Sequence, residues 1–329
     1  MKAILAFAQR RLLLLMVVCY LLAGLFPGPG QALRPAGPVL LAVMVFNAGL
    51  GFGIGELLRQ IKRPGRLLLG VGANALLPAV ILPLVAVLIS GWHDGREVSG
   101  LLIGLALVLS MPIAGGAAAW GQNAGGNVAL TVAMVLGSTL LSPLTIPVGL
   151  HIAGEFTSGL EPLNAAGAGC GLFALAGVVL PCIAALGVRH FAGERRVTAV
   201  TPVIKTVNLV DILLLCYSNA SAALPRVVAH PDVDLLVLVA VVAAGVCAAC
   251  FLLGRWLSGR TRCDRRDAIA LTFATGMNNS SAASVLAGTW FIHRPVVLLP
   301  ILAYSLLQKS LAATIRFRQA PPRGSLRAH

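Results

Sequence analysis

Long apolar segments, separated by short borders of charged residues, proline and glycine, run through almost the whole of this chain. A helix of about 20 apolar residues is long enough to cross the hydrocarbon core of a bilayer. Charged residues make up only 11% of the chain and hydrophobic residues 58%, whereas an average soluble protein is about 25% charged. The pattern therefore predicts an all-α polytopic membrane protein whose surroundings are the lipid bilayer.

The borders of the apolar segments predict ten transmembrane helices. These predicted spans cover residues 12–27, 38–55, 67–90, 99–120, 127–152, 163–188, 200–224, 234–254, 267–289 and 296–315. The net charge of +14 arises from basic residues in the short segments between spans, which is typical of membrane topology signals. No nucleic acid partner is expected.

The distribution of lysine and arginine predicts the orientation of the chain. Nineteen of the 25 Lys and Arg residues fall on alternate borders that share one side, four fall on the other side, and two lie within spans. Because cytoplasmic loops retain basic residues, both termini of this multi-pass protein are predicted to be cytoplasmic, in an inner or plasma membrane. Residues 1–32 also fit a cleaved secretory signal. Removal of this segment would leave nine spans, and every later loop would stay on the same side of the membrane.

Ten spans divide into two sets of five. Because five is odd, the two halves would lie in opposite orientation, as in transporters built from inverted repeats. The predicted organisation is a first repeat over residues 1–155, a second over 156–318, and a cytoplasmic tail over 319–329.

In inverted-repeat transporters the binding site lies where one helix of each half is broken near the middle of the membrane. The fourth span contains a proline and paired glycines, and the ninth contains adjacent amides and hydroxyls at a similar depth. Small residues also allow close helix packing, but polar amides at this depth need partners. We expect these two breaks to cross and form a site. Its candidate residues are Thr275, Met277, Asn278, Asn279 and Ser280, with Pro112, Gly115, Gly116 and Gly276 in the crossing backbone.

Three segments carry a family resemblance. They are the glycine-rich stretch 44–53 running into Arg63-Pro64, the stretch 112–132, and the stretch 272–280. Together they resemble the bile acid:sodium symporter family. The resemblance implies a core domain with two crossing broken helices, a separate panel domain, and alternating access that carries an organic anion together with sodium.

The positions that the resemblance implies as sodium ligands have mostly lost their polar side chains. A family glutamate falls on Ala274, a Ser-Asn pair on Ala117 and Ala118, a threonine on Val135, and a glutamine on Ala73 with Asn74 beside it; Thr131 and Asn278 stay polar. Sodium is a hard cation that needs several oxygen ligands. We therefore expect sodium coupling to be lost or weakened, with no resident metal or cofactor; sodium and the proton both stay open as coupling ions.

A lysine within the tenth span is the second departure. The segment Ser305-Leu-Leu-Gln308-Lys309-Ser310 resembles a family segment in which the position of Lys309 is an asparagine lining the substrate cavity. A lysine at the bilayer centre costs about 2.5–3.5 kcal/mol on insertion scales. Snorkelling to the membrane surface is the alternative, but Lys309 is some seven residues from the predicted end of the span.

These residues predict that Lys309 replaces the positive charge of bound sodium, and either pairs with an anionic substrate or exchanges a proton. Asp211 is the one acid well inside a predicted span. It is a candidate to neutralise Lys205 or Lys309, or to face the substrate crevice.

The predicted function is secondary transport of a small organic anion by alternating access. One alternative is a sodium-coupled symporter with rearranged ligands, and another is a receptor or scaffold that binds without transport. No nucleophile, phosphate-loop or zinc-protease motif is present in the sequence, so enzymatic activity is not expected. Bile acids, smaller carboxylates and sulfonates are equally compatible with the predicted cavity.

Overall fold

The computed structural model describes residues 11–51, 55, 60, 64–157, 163–229 and 231–315, and the predicted tail 319–329 lies outside this part. The described residues form fourteen α-helices and no β-strand. The first seven are α1 Leu12–Leu25, α2 Pro27–Leu33, α3 Gly37–Leu50, α4 Pro64–Leu88, α5 Gly95–Ser110, α6 Gly116–Asn123 and α7 Val128–Gly154. The others are α8 Leu163–Ala174, α9 Leu180–Ala192, α10 Glu194–Ala229, α11 Val233–Arg260, α12 Arg265–Gly276, α13 Ser280–Trp290 and α14 Leu298–Thr314.

Seven helical segments of the described residues are long and apolar enough to cross a membrane. They are Pro27–Leu50, Pro64–Leu88, Val128–Gly154, Gly169–Ala192, Glu194–Ala229, Val233–Arg260 and Pro295–Thr314. The remaining three predicted spans coincide with the short apolar helix α1 and with two helix pairs that are each interrupted, α5–α6 and α12–α13. The multi-pass membrane class is confirmed, while the number of ten spans and their inverted relation stay predictions.

Short polar side chains begin several of these helices. The carboxylates or amides of Asp94, Asn127, Asp232, Asp264 and Asn279 each accept a hydrogen bond from a backbone N–H in the first turn of the following helix. Such caps satisfy backbone donors that have no partner within the helix. The sequence therefore specifies the start of α5, α7, α11, α12 and α13 locally.

The two helix breaks have local causes as well. After α5 ends, Met111 is extended, with ψ 150°, because a residue that precedes proline is disfavoured in the helical region. After α12 ends, Met277 is extended, and Asn279 caps the next helix. Both helix interruptions thus lie where the sequence predicts them.

Helix α5 lies at the centre of the protein. Every residue from Ser99 to Ser110 is buried, and α5 packs against α4, α7, α13 and α14. On another side of the molecule, α10 packs against α1, α2 and α3, and α9 packs against α3. Large apolar side chains such as Leu25, Leu88 and Phe191 are exposed on the surface, which suits contact with lipid.

A buried carboxylate joins three helices at one end of the protein. Asp267 of α12 is 3% exposed and forms an ion pair with Arg66 of α4. The side-chain amide of Asn127, just before α7, donates to Asp267 Oδ1 at 2.7 Å. These contacts place three of the borders predicted to be cytoplasmic at one end of the molecule.

We expect Asp267→Asn to lower the free energy of unfolding by about 1–3 kcal/mol. Removal of the charge abolishes a charge-assisted contact of a buried group, and the partial exposure of Arg66 keeps the loss below that of a fully buried pair. The apparent melting temperature of the purified protein measures the effect. The control is Glu155→Gln, because Glu155 is exposed and lies 3.8 Å from His151; equal melting temperatures for the two variants would contradict the expectation.

Candidate functional site

The two helix breaks meet as antiparallel backbone segments. The N–H of Ala114 donates to the carbonyl of Met277 at 2.8 Å, and the N–H of Asn279 donates to the carbonyl of Pro112 at 2.9 Å. Backbone groups that the breaks release from their helices are therefore satisfied by each other. Unpaired backbone groups at membrane depth are costly, so this pairing explains how both breaks are tolerated.

Asn278 is the most connected side chain of the crossing. It is fully buried; its backbone N–H donates to Gln308 Oε1 at 3.1 Å, and its Oδ1 accepts from Asn74 Nδ2 at 2.9 Å. Among the described residues, nothing accepts a hydrogen bond from its own Nδ2. Asn278 thus links α4 and α14 to the crossing and keeps one free amide donor.

A continuous chain of hydrogen bonds leads from the crossing to Lys309. Gln308 Nε2 donates to Ser280 Oγ at 3.0 Å, and the Ser280 hydroxyl is 3.0 Å from that of Ser305. The ammonium of Lys309 donates to Ser305 Oγ at 3.0 Å and to the Ser305 carbonyl at 3.2 Å. The structure therefore joins Asn278, Ser280 and Lys309 in one polar network.

The direction of the Lys309 side chain argues against snorkelling. Its partner Ser305 lies one helical turn toward the middle of α14, so the ammonium points away from the end of the helix at Thr314. Helix α14 contacts α10, and the Cys216 thiol of α10 is near this ammonium. Lys309 therefore lies where α14 faces α10.

Asp211 forms no ion pair with Lys205 or Lys309 in the described part of the chain, so neither proposed neutralisation occurs in this conformation. Asp211 is 5% exposed, and its Oδ2 has no hydrogen-bond partner among the described residues. Lys309 is likewise without a carboxylate partner there.

Methyl groups occupy most of the positions where the resemblance implies sodium ligands. Ala117 and Ala274 are fully buried, and Ala118 and Val135 are buried as well. At the predicted third-span position, Ala73 is half-buried, whereas its neighbour Asn74 is buried and bonded to Asn278. The side-chain oxygen of Asn278 therefore already accepts a hydrogen bond from the amide of Asn74.

The two threonines proposed for the site lie outside the hydrogen-bonded network. The Thr131 hydroxyl donates to the Asn127 carbonyl at 3.1 Å, and the Thr275 hydroxyl donates to the Leu271 carbonyl at 2.9 Å. Both threonines are fully buried and satisfy their hydroxyls within their own helix. Their hydroxyl oxygens keep lone pairs that a ligand could use. Neither hydroxyl forms a hydrogen bond with a residue of the Asn278–Lys309 network.

Three members of the network, namely Asn74, Ser305 and Gln308, were not among the predicted site residues, and Ser138 beside the first break was missed as well. Ser138 Oγ accepts from the N–H of Ile113 at 3.0 Å and so supports the first break. For Gln308 a signal was present, because Ser305, Gln308 and Lys309 follow the spacing that places residues on one helix face. Nothing local distinguishes Ser138 from the other hydroxyls of α7.

We expect Gln308→Ala to destabilise the crossing, because it leaves the buried N–H of Asn278 without its acceptor and removes a donor to Ser280. Such losses cost about 1–3 kcal/mol each, and the melting temperature should fall accordingly. Ser310→Ala is the matched control on the same helix, because the Ser310 hydroxyl only donates to the carbonyl of Leu306. If the two variants have the same melting temperature, Gln308 does not stabilise the site.

Comparison with known proteins places the chain in a family. The model of the sodium bile acid symporter family matches residues 38–230, which is more than half of the chain. The uncharacterized protein YbaS of Bacillus subtilis (strain 168) is 25% identical over 285 residues, covering 84% of this chain and 86% of that protein. The uncharacterized sodium-dependent transporter YocS of the same organism is 27% identical over 284 residues, covering 84% and 81% respectively. The chain belongs to the sodium bile acid symporter family, a family of membrane transporters.

Proposed function

We propose that this protein is a secondary transporter of a small organic anion that works by alternating access and does not require sodium. The observation that carries this proposal is the ammonium of Lys309. It is bonded to Ser305 and connected to the helix crossing, and no carboxylate of the described residues neutralises it. The proposal includes location in the cell membrane with both termini cytoplasmic.

Physical chemistry favours an anionic ligand for this site. A charge that is removed from water needs a partner of opposite charge or dense hydrogen bonding, and an ionisable residue at membrane depth commonly marks a substrate or ion path. The free amide donor of Asn278 lies in the same network. An ammonium and an amide donor suit the oxygens of a carboxylate or a sulfonate.

The surroundings of the crossing support loss of sodium coupling. A buried sodium ion needs several oxygen ligands, but Ala117 and Ala274 present methyl groups and Asn278 Oδ1 already accepts from Asn74. In this proposal the fixed ammonium supplies the positive charge that sodium supplies elsewhere. Transport then proceeds either with a proton or by facilitated movement of the anion alone.

Sodium coupling with rearranged ligands is the second candidate. The names of the family and of YocS both refer to sodium. The hydroxyl oxygens of Thr131 and Thr275, with nearby carbonyls, are the ligands that this alternative would use. It requires a specific response to sodium over potassium, whereas the leading proposal requires none.

A ligand screen tests the proposed substrate class. The melting temperature of the purified protein is measured with a panel of carboxylates and sulfonates, using neutral amides of the same carbon skeleton as controls. A ligand that binds the folded state raises the apparent stability, so we expect at least one anion to stabilise and its amide to have no effect. An anion that stabilises but is never taken up by proteoliposomes would favour the receptor or scaffold instead.

A further inference from the structure

A second feature lies well away from the crossing. A cavity of about 1290 Å³ opens where α5, α11 and the segment leading into α14 begin and where α10 ends. None of the residues of the Asn278–Lys309 network lines it. By the positive-inside pattern this end of the protein is predicted to face outward, and we call this space the outer cavity.

Two guanidinium groups of the described residues are the candidate anion-binding groups of the outer cavity. Arg96 and Arg294 line it, and neither side chain has a hydrogen-bonding or ionic partner among the described residues. His293 lies beside them in the lining. Guanidinium groups match the oxygens of carboxylates and sulfonates in two-point contacts.

The acids in the same lining are already engaged. Asp94 Oδ1 accepts from the backbone N–H of Arg96 at 2.7 Å, and Asp232 Oδ1 accepts from the N–H of Leu235 at 3.0 Å. The second bond holds the pKa of Asp232 below its ordinary value. These carboxylates face backbone donors at the starts of α5 and α11, and neither of them forms an ion pair with Arg96 or Arg294.

The remaining wall of the outer cavity is largely apolar. Pro225, Leu235, Val296 and Leu299 are among its lining residues. Sites for small organic ligands have volumes of about 300–1000 Å³ and combine apolar walls with a few polar groups. The outer cavity therefore has room for an organic anion with a substantial apolar body.

We propose that the outer cavity is a second binding site for amphipathic organic anions, with Arg96 and Arg294 holding the acidic group and the apolar wall holding the body. The ligand class rests on the proposed function, since both sites would take the same kind of anion. The outer site is independent of Lys309, because the two share no residue. It would hold anions at the outer face before they reach the crossing.

Binding measurements on the whole protein test this site. The protein is reconstituted in phosphatidylcholine nanodiscs and titrated with naphthalene-2-sulfonate, or with the uncharged naphthalene-2-sulfonamide, by isothermal titration calorimetry. The site variant is Arg96→Gln/Arg294→Gln. The matched control is Arg195→Gln/Arg196→Gln, which removes the same charge from exposed positions at the opposite end of α10.

We expect the site variant to weaken sulfonate binding by about tenfold or more, as loss of charged hydrogen bonds does, and the control to bind like the unaltered protein. Lys309→Met should leave this arginine-dependent binding in place. The proposal is overturned if the site variant binds as the control does, or if the sulfonamide binds as tightly as the sulfonate. Transport that persists in Lys309→Met while the arginine-dependent binding is present would count against the proposed function alone. Transport that is lost in Lys309→Met while the site variant binds as the control does would count against the outer site alone.

Anionic lipid is the other source of a negatively charged group at this end of the protein. The titration is therefore repeated in nanodiscs that contain phosphatidylglycerol. Unchanged sulfonate affinity supports a soluble anion as the ligand. Loss of the arginine-dependent binding in those nanodiscs would assign the outer cavity to a lipid headgroup and overturn the proposal.

Discussion

Replacing Lys309 with methionine is expected to weaken the affinity for the substrate anion by about tenfold to a hundredfold, the range for losing a charged hydrogen bond, and to reduce the stabilisation by that anion accordingly. Methionine keeps the length and the apolar stem of lysine but removes the ammonium that donates to Ser305. The variant itself should fold, because removal of a charge at membrane depth relieves its burial cost. Melting temperatures with and without the anion measure the effect, followed by uptake into proteoliposomes.

Two variants control the Lys309 experiment. Lys205→Met removes an exposed lysine from α10 and should leave anion binding unchanged. Lys309→Arg retains the charge and should retain part of the binding. Normal uptake by Lys309→Met would contradict the role assigned to the ammonium.

Introducing a carboxylate at Ala274 is expected to have the largest effect on stability. Ala274 is fully buried in α12, and an unpaired buried charge costs about 3–5 kcal/mol. Ala274→Glu should therefore melt well below Ala274→Gln, which has nearly the same volume and no charge. The comparison separates the cost of the charge from the cost of overpacking.

The same pair of variants examines the sodium site. If a glutamate here completed a working site, sodium would stabilise Ala274→Glu more than potassium does. We expect no such difference, because Ala117, Ala118 and Val135 still present apolar groups. A rise in melting temperature that is specific to sodium and confined to Ala274→Glu would show that the remaining ligands persist.

Local signals explain which parts of the fold could be predicted from the sequence. The apolar segments predicted the membrane class, and Pro112 and Asn279 marked the ends of the two breaks, because proline and a capping amide act on their own neighbours. Helix limits were less accurate: α10 extends over Glu194–Ala229, beyond the predicted span 200–224. The added turns at both ends are polar or largely exposed, so a prediction from apolar segments did not include them.

The candidate site depends on contacts between distant segments, and these were only partly predictable. The bond between Asn74 and Asn278 joins residues 204 positions apart, and no local pattern indicates that Asn74, rather than Ala73, faces the crossing. Likewise, Asp211 is an acid within a predicted span, yet only the structure shows that it pairs with neither lysine. The outer cavity arises where residues 94–100, 223–236 and 293–299, three regions far apart in the sequence, come together.

Uptake of a stabilising anion into proteoliposomes, with external sodium replaced by potassium at constant ionic strength, tests the central claim most directly. The account predicts equal initial rates in the two salts, with uptake lost in Lys309→Met, because a fixed ammonium replaces the charge of the ion. Uptake that requires sodium and persists in Lys309→Met would contradict it and would assign this chain a rearranged sodium site.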